Sequence, residues 1–219
     1  MKRTFFLLTV LMLMASCGGD KNSDKAGNTP ATGDTVAAEQ QAEQAAAPQV
    51  AVKPDAPCDD NSSFIVISKK DLTLTVYARS NNDTIALATF PVCMGKNKGD
   101  KQGKGDMRTP ESPAGKPFTI AKIQDASTWT HDFGDGRGSI LAYGNWFLRL
   151  DTPGHSGIGI HGSTNNENTV PGRASEGCIR LLDKDIITLK EKYARVGMPV
   201  IIKGEDQGLL PFEQKCLAQ

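Results

Sequence analysis

The apolar residues of this chain fall into blocks, and each block implies an element. Behind Lys2 and Arg3, Phe5–Met14 is an almost unbroken apolar run. It is too short to span a bilayer and fits the hydrophobic part of a targeting segment. Residues 18–57 carry almost no large apolar side chain and are rich in Ala, Gln, Glu, Thr and Pro. Such a stretch cannot bury enough surface to offset chain entropy, so a flexible tether is expected there. Apolar residues return at Phe64, where Phe64–Ile67 predicts a short strand and Lys69–Asp71 a turn. Leu72, Leu74 and Val76 alternate with Thr73, Thr75 and Tyr77, the pattern of a strand with one wet face. Asn81–Asp83 reads as a second turn, and Ile85, Leu87 and Phe90 as a third strand. Three strands joined by short turns predict an antiparallel meander.

The pattern continues more loosely. Gly95–Gly105 is rich in Lys and Gly and predicts a solvated hairpin loop, since no Gly-Lys-Ser/Thr follows to cradle a phosphate. Two prolines stiffen the turn before Phe118–Ile120. Residues 125–137 are polar and aromatic, with Trp129, His131 and Phe133; His131 has no motif around it and reads as a surface residue. Ile140–Leu150 predicts a strand or a strand pair broken near Gly144 and Asn145. Ile158, Ile160 and His161 read as a strand end, and residues 162–177 as a loop. Leu182, Ile186, Leu189 and Tyr193 form one helical stripe, with Asp183 as the expected N-cap and Gly197 as the stop. Met198–Ile202 predicts a closing strand, and residues 205–219 a short tail.

Composition narrows the class. Of 219 residues, about 150 remain once the leader and tether are set aside, enough for one domain with a proper core. The 25 basic and 25 acidic residues balance, so nothing calls for nucleic acid. The 22 glycines and the short alternating runs favour a mainly β fold with one or two helices. No cofactor is implied, and a monomer is expected.

The candidate chemistry lies between Gly157 and Leu181. A loop separates His161 from Cys178, so the two can meet in space as a Cys/His nucleophile pair requires. The thiolate is the reactive form, and a neighbouring imidazole can take the thiol proton to leave a thiolate–imidazolium pair. Gly177 leaves room for a carbonyl beside the sulfur, and backbone N–H groups around Gly177 and Cys178, with Ser175 in the same loop, are the expected oxyanion cradle. Arg180 can hold a substrate carboxylate or orient the loop through an ordinary salt bridge. Tyr143, Trp146 and Phe147 read as core packing, with Trp146 as the alternative groove residue. His155 is expected near the site, in a loop. Cys58 and Cys216 bracket the domain and are expected to pair, while Cys93 packs as a small hydrophobe. A zinc site from Cys93, Cys178, His155 and His161 is a weaker reading, because it lacks close Cys-x-x-Cys spacing.

Two resemblances sharpen this. Met14-Ala15-Ser16-Cys17 resembles the lipobox of bacterial lipoproteins, with Met14 where Leu is more usual. It implies a signal peptide over 1–17, lipidation at Cys17 and anchoring on the periplasmic side of a bacterial membrane; an ordinary secretory signal stays open. His161-Gly162, followed by Ser175-x-Gly177-Cys178-Ile179-Arg180, resembles the signature of the L,D-transpeptidase (YkuD-like) catalytic domain. Thr109-Pro110 and Phe118-x-Ile120 match a further motif of that family, with Ser112-Pro113-Ala114 lengthening the turn. The resemblance implies a β-sandwich of mixed sheets over 58–204. It implies Cys178 as nucleophile, His161 as base and the Gly162 carbonyl as the group that orients the imidazole. The substrate implied is a peptidoglycan stem tetrapeptide, cleaved through a thioester and resolved to a 3–3 cross-link, with acylation by carbapenems. An L,D-carboxypeptidase, an amide hydrolase, or a non-catalytic wall-binding lipoprotein are the alternatives. Glu176 departs from the family, many members of which carry a second His there, so no second imidazole is expected beside the nucleophile.

Overall fold

The computed structural model describes residues 62–80 and 83–217. Cys17, Cys58 and the expected tether lie outside them. Strands β1 (Ser63–Ser68), β2 (Thr73–Ser80) and β3 (Asp83–Pro91) form the predicted antiparallel meander. Then follow β4 (Cys93–Gly95), β5 (Phe118–Asp125), β6 (Thr130–Asp132), β7 (Ser139–Leu141) and β8 (Trp146–Asp151). The chain goes on through β9 (Gly159–His161), β10 (Gly172–Ser175), β11 (Ile179–Arg180), α1 (Asp183–Lys192), β12 (Pro199–Lys203) and α2 (Pro211–Leu217).

Among the described residues ten strands make one mixed ladder in the order β10-β4-β11-β9-β8-β5-β12-β1-β2-β3, and β6 and β7 pair as a separate hairpin. The fold is mostly β with a mixed sheet and two helices. The strands of the expected sandwich are one continuous ladder, and its two margins meet over one core. Leu87 and Phe90 from β3 share a cluster with Val92 and Met94 at the other margin, together with Ile186 and Leu189 of α1.

Burial explains where the pattern reading slipped. Every residue of β1 is buried. Ile65 and Ile67 enter the main core, while Phe64 and Val66 face the other way, under α2. The face of β2 expected to be wet is covered too: Tyr77 is 1% exposed and its ring meets Phe212 of α2 at 5.3 Å. Residues 205–217 are thus an integral lid on β1 and β2, held by an ion pair of 2.6 Å between Lys203 and Glu213. Cys216 is a free, buried thiol whose Sγ donates to the Thr84 carbonyl at 2.8 Å, and Cys58, its expected partner, lies outside the described residues. The turn residue Lys69 is fully buried, donating to Gly99, Thr109 and Glu111.

Candidate active site

Strand register builds the site. Ile179 pairs with Ile160 and both enter the core. Arg180 pairs with His161, and Phe147 of β8 pairs with His161 from the other side. By the two-residue period, Cys178 shares the outward face with Arg180, His161 and Phe147. Cys178 and His161 line one cavity of about 440 Å³ with Arg180, Glu176, His131 and Tyr143. A second cleft of about 320 Å³, lined by Trp129, Phe147 and Arg149, also reaches Cys178.

Glycines permit this convergence. Gly177 has φ +135°, and a Cβ there would lie 2.8 Å from the Arg108 carbonyl, so no larger residue fits before the cysteine. Gly162 packs against Gly144, whose Cα would stand 2.7 Å from an added Cβ, and against the Asp183 carboxylate. That carboxylate accepts from Ser163 N–H at 2.7 Å and from Thr164 Oγ1. Asp183 therefore ties the loop after His161 to α1. The helix N-cap is Leu182, not Asp183 as expected, and it makes no side-chain cap bond.

His161 is held tightly. Its Nδ1 lies 2.7 Å from the Gly162 carbonyl, as the motif implied. A carbonyl only accepts, so Nδ1 carries the proton and Nε2 keeps a lone pair. The ring is stacked on Phe147 at 5.5 Å and sits 4.8 Å from Tyr143. Burial, then the Arg180 charge, lowers its pKa to about 3, against the stabilising Gly162 bond. Burial likewise pushes the Cys178 thiol up, while the Gly159 N–H, Arg180 and Arg149 oppose it and Glu176 adds to it. The thiol donates to the Gly157 carbonyl at 3.3 Å. Burial thus disfavours the charged form of both partners of the expected thiolate–imidazolium pair.

The remaining expected residues divide. Ser175 Oγ donates to the Cys178 carbonyl at 2.6 Å and accepts from Gly177 N–H at 3.1 Å. It sets the loop, and the Gly177 amide is committed to it rather than free for an oxyanion. Arg180 is 4% exposed, its guanidinium lies 5.1 Å from the Phe133 ring centre, and its Nε has no hydrogen-bond partner among the described residues. His155 is half-buried and lines the cavity. Trp146 lines neither cavity: one residue out of phase with Phe147, it packs against the core with the Lys190 ammonium 4.3 Å from its ring centre. Cys93 is buried in β4, and among the described residues no three His, Cys, Asp or Glu side chains group as metal ligands.

Two walls of the cavity were not expected. Loop 95–105 is no mere solvated hairpin: it presents Lys101, Lys104 and Met107 follows it along the same wall. Asp106 folds this loop by accepting from Lys101 Nζ at 2.7 Å and from the N–H groups of Gln102, Gly103 and Arg108. Against a burial cost, these bonds hold its carboxyl well below the usual range. His131, read as a surface residue, lies in β6 over the cavity, with Nε2 3.3 Å from Glu176 Oε1. The signal for it was the density of aromatic residues around it in an otherwise polar stretch. Arg137 fastens the hairpin by donating to Asn165 and Asn166, each at 2.9 Å.

Residues 62–202 match the family model of the L,D-transpeptidase catalytic domain, YkuD. The chain belongs to the YkuD L,D-transpeptidase family. Solved structures similar to it include Bd1075 of Bdellovibrio bacteriovorus, at 19% identity and TM-score 0.50, covering 72% of this chain and 54% of that one. The helical cell shape determining protein Pgp2 of Campylobacter jejuni follows at 20% identity and TM-score 0.48, covering 73% and 53%. The L,D-transpeptidase of Mycobacterium smegmatis has 22% identity and TM-score 0.44, covering 65% and 59%. This L,D-transpeptidase family member thus spans between half and three-fifths of the length of those chains. No curated protein matches it at a significant level.

Proposed function

We propose that this protein is a cysteine-dependent L,D-transpeptidase that acts on peptidoglycan stem tetrapeptides. The observation that carries the reading is the meeting of a thiol, a neutral imidazole and a buried, under-satisfied guanidinium at one cavity. The Cys178 proton passes to His161 Nε2 as the sulfur attacks the carbonyl carbon of the diamino acid at stem position three. The imidazolium returns the proton to the departing D-Ala amine, and a thioester remains. A side-chain amine of a second stem attacks that carbonyl, the C–S bond breaks, and a 3–3 cross-link forms. Splitting the exchange in two is what a cysteine contributes. Arg180 suits a substrate carboxylate, because its planar fork matches that group and its Nε has no hydrogen-bond partner among the described residues.

Intact mass after incubation with meropenem tests the first half. The wild type gains one adduct, and Cys178→Ala gains none; an adduct on the alanine variant overturns the reading. With purified disaccharide-tetrapeptide, release of D-Ala reports acylation, and a cross-linked dimer or a tripeptide reports whether an amine or water resolves the thioester.

The same proposal places the domain on the periplasmic side of a membrane, anchored through lipid on Cys17. Detergent phase partition checks it: the wild type enters the detergent phase, and Cys17→Ser with an otherwise functional leader does not.

A further inference from the structure

The cavity beside Cys178 is chemically lopsided. Lys101, Lys104 and Arg180 are cationic, and Glu176 is the only carboxylate among the residues that line it. Glu176 stands two residues before the sulfur, and its charge raises the thiol's pKa. Its partner His131 lies 3.3 Å away on a separate hairpin, and both side chains keep contact with water, 31% and 49% exposed. An ion pair that exposed contributes little to stability. A carboxylate in this place therefore opposes thiolate formation without a stabilising return, yet it lines the same cavity as the sulfur.

Resting on the transpeptidase reading above, we propose that His131 and Glu176 form the acceptor-side base. The acceptor amine arrives as an ammonium ion, and among the lining residues Glu176 alone can attract it. The His131 ring takes one proton, and Glu176, 3.3 Å from Nε2, steadies the imidazolium. The freed amine nitrogen attacks the thioester carbonyl, and the C–S bond breaks. The second N–H proton goes to the departing thiolate and restores the Cys178 thiol. The first leaves His131 for water, to which that ring is open. His161 is placed for the donor half: its ring is 3% exposed with Nδ1 tied to Gly162, whereas His131 keeps contact with water. The His131 ring is held in place by Phe133 at 4.5 Å and Tyr143 at 6.3 Å.

The test uses the full chain with disaccharide-tetrapeptide as donor and excess disaccharide-tripeptide as acceptor. In His131→Gln, kcat for dimer formation falls by about tenfold or more, the low end of what a general base supplies, while the rate of the first-turnover burst of D-Ala stays within about twofold. In Glu176→Gln the KM for the tripeptide rises by about tenfold with a smaller change in kcat. A preserved D-Ala burst shows that both variants are folded. Dimer formation and the D-Ala burst rate falling in parallel in both variants overturns the proposal, as does no change in either. A wild type that releases D-Ala but joins no tripeptide also overturns it and leaves the Cys178 thioester standing. A wild type that forms neither product nor adduct ends both readings.

Discussion

Burial disfavours the charged forms of Cys178 and His161, and that bears on how the sulfur reacts. A thiol whose pKa is raised and an imidazole whose pKa is lowered to about 3 work against a resting ion pair. Proton transfer must then accompany attack on the carbonyl instead of preceding it. Alkylation of Cys178 by iodoacetamide is expected to rise with pH through 9 and beyond, without a plateau between pH 5 and 8; such a plateau would show a resting thiolate. His161 also makes stability depend on pH. Its folded pKa, about 3, lies below the ordinary imidazole value of 6.5. Between these values the unfolded chain binds a proton that the native state refuses. The contribution is therefore complete above about pH 6.5 and is lost as pH falls toward 3, by up to about 1.4 kcal/mol per unit. Urea melts at pH 6.5, 5.5 and 4.5 should show a steeper decline for the wild type than for His161→Gln. Equal slopes would mean that the ring is charged in the folded protein.

Among the elements, α2 was the least legible and is structurally the most consequential. Its seven residues, PFEQKCL, carry too short a pattern to announce a helix. Only with α2 in place does the β1 run Phe64–Ile67 make sense as a strand apolar on both faces. The alternation in β2 was correct, but Thr75 and Tyr77 face a helix from the far end of the chain rather than water. Local pattern cannot register such cover. The strands β1 to β3, the break between β7 and β8, and the stripe of α1 were legible because each rests on its own period. The anchor of α2 is the Lys203–Glu213 pair, with side chains 2% and 7% exposed. Removing one partner strands a buried charge, so Glu213→Gln is expected to cost about 3–5 kcal/mol. Lys203→Met with Glu213→Leu should recover most of that loss. Urea unfolding of the two variants checks it, and equal losses would assign the cost to packing instead.

For the molecule as a whole, the two halves of the motif were readable because their chemistry is local: a His with its Gly, and a Gly with its Cys. The walls were not readable, since sheet closure brings them from residues 95–107 and from the β6–β7 hairpin. Lys69 shows how closure is secured. From the turn after β1 its ammonium reaches the Gly99 carbonyl at 2.7 Å, the Thr109 carbonyl at 3.0 Å and Glu111 at 2.8 Å, with Glu205 at 3.7 Å. One cation thus joins β1, both ends of the loop that walls the cavity, and the segment after β12. Arg173 strengthens the same knot by donating to Lys69 O at 2.6 Å and Glu205 at 2.7 Å. Lys69→Met keeps the apolar stem but leaves Glu111 and Glu205 short of a counter-charge and two carbonyls short of a donor. The expected loss is about 3–5 kcal/mol, the range for breaking a buried pair. Because the knot fastens the cavity wall, amides in 96–106 should exchange faster in this variant while those of β8 and β9 keep their ranking. Carbapenem adduct formation should slow with them, since Lys101 and Lys104 ride on that wall. A variant that loses stability evenly, with no selective exchange in 96–106, would make Lys69 a fold anchor with no special tie to the site.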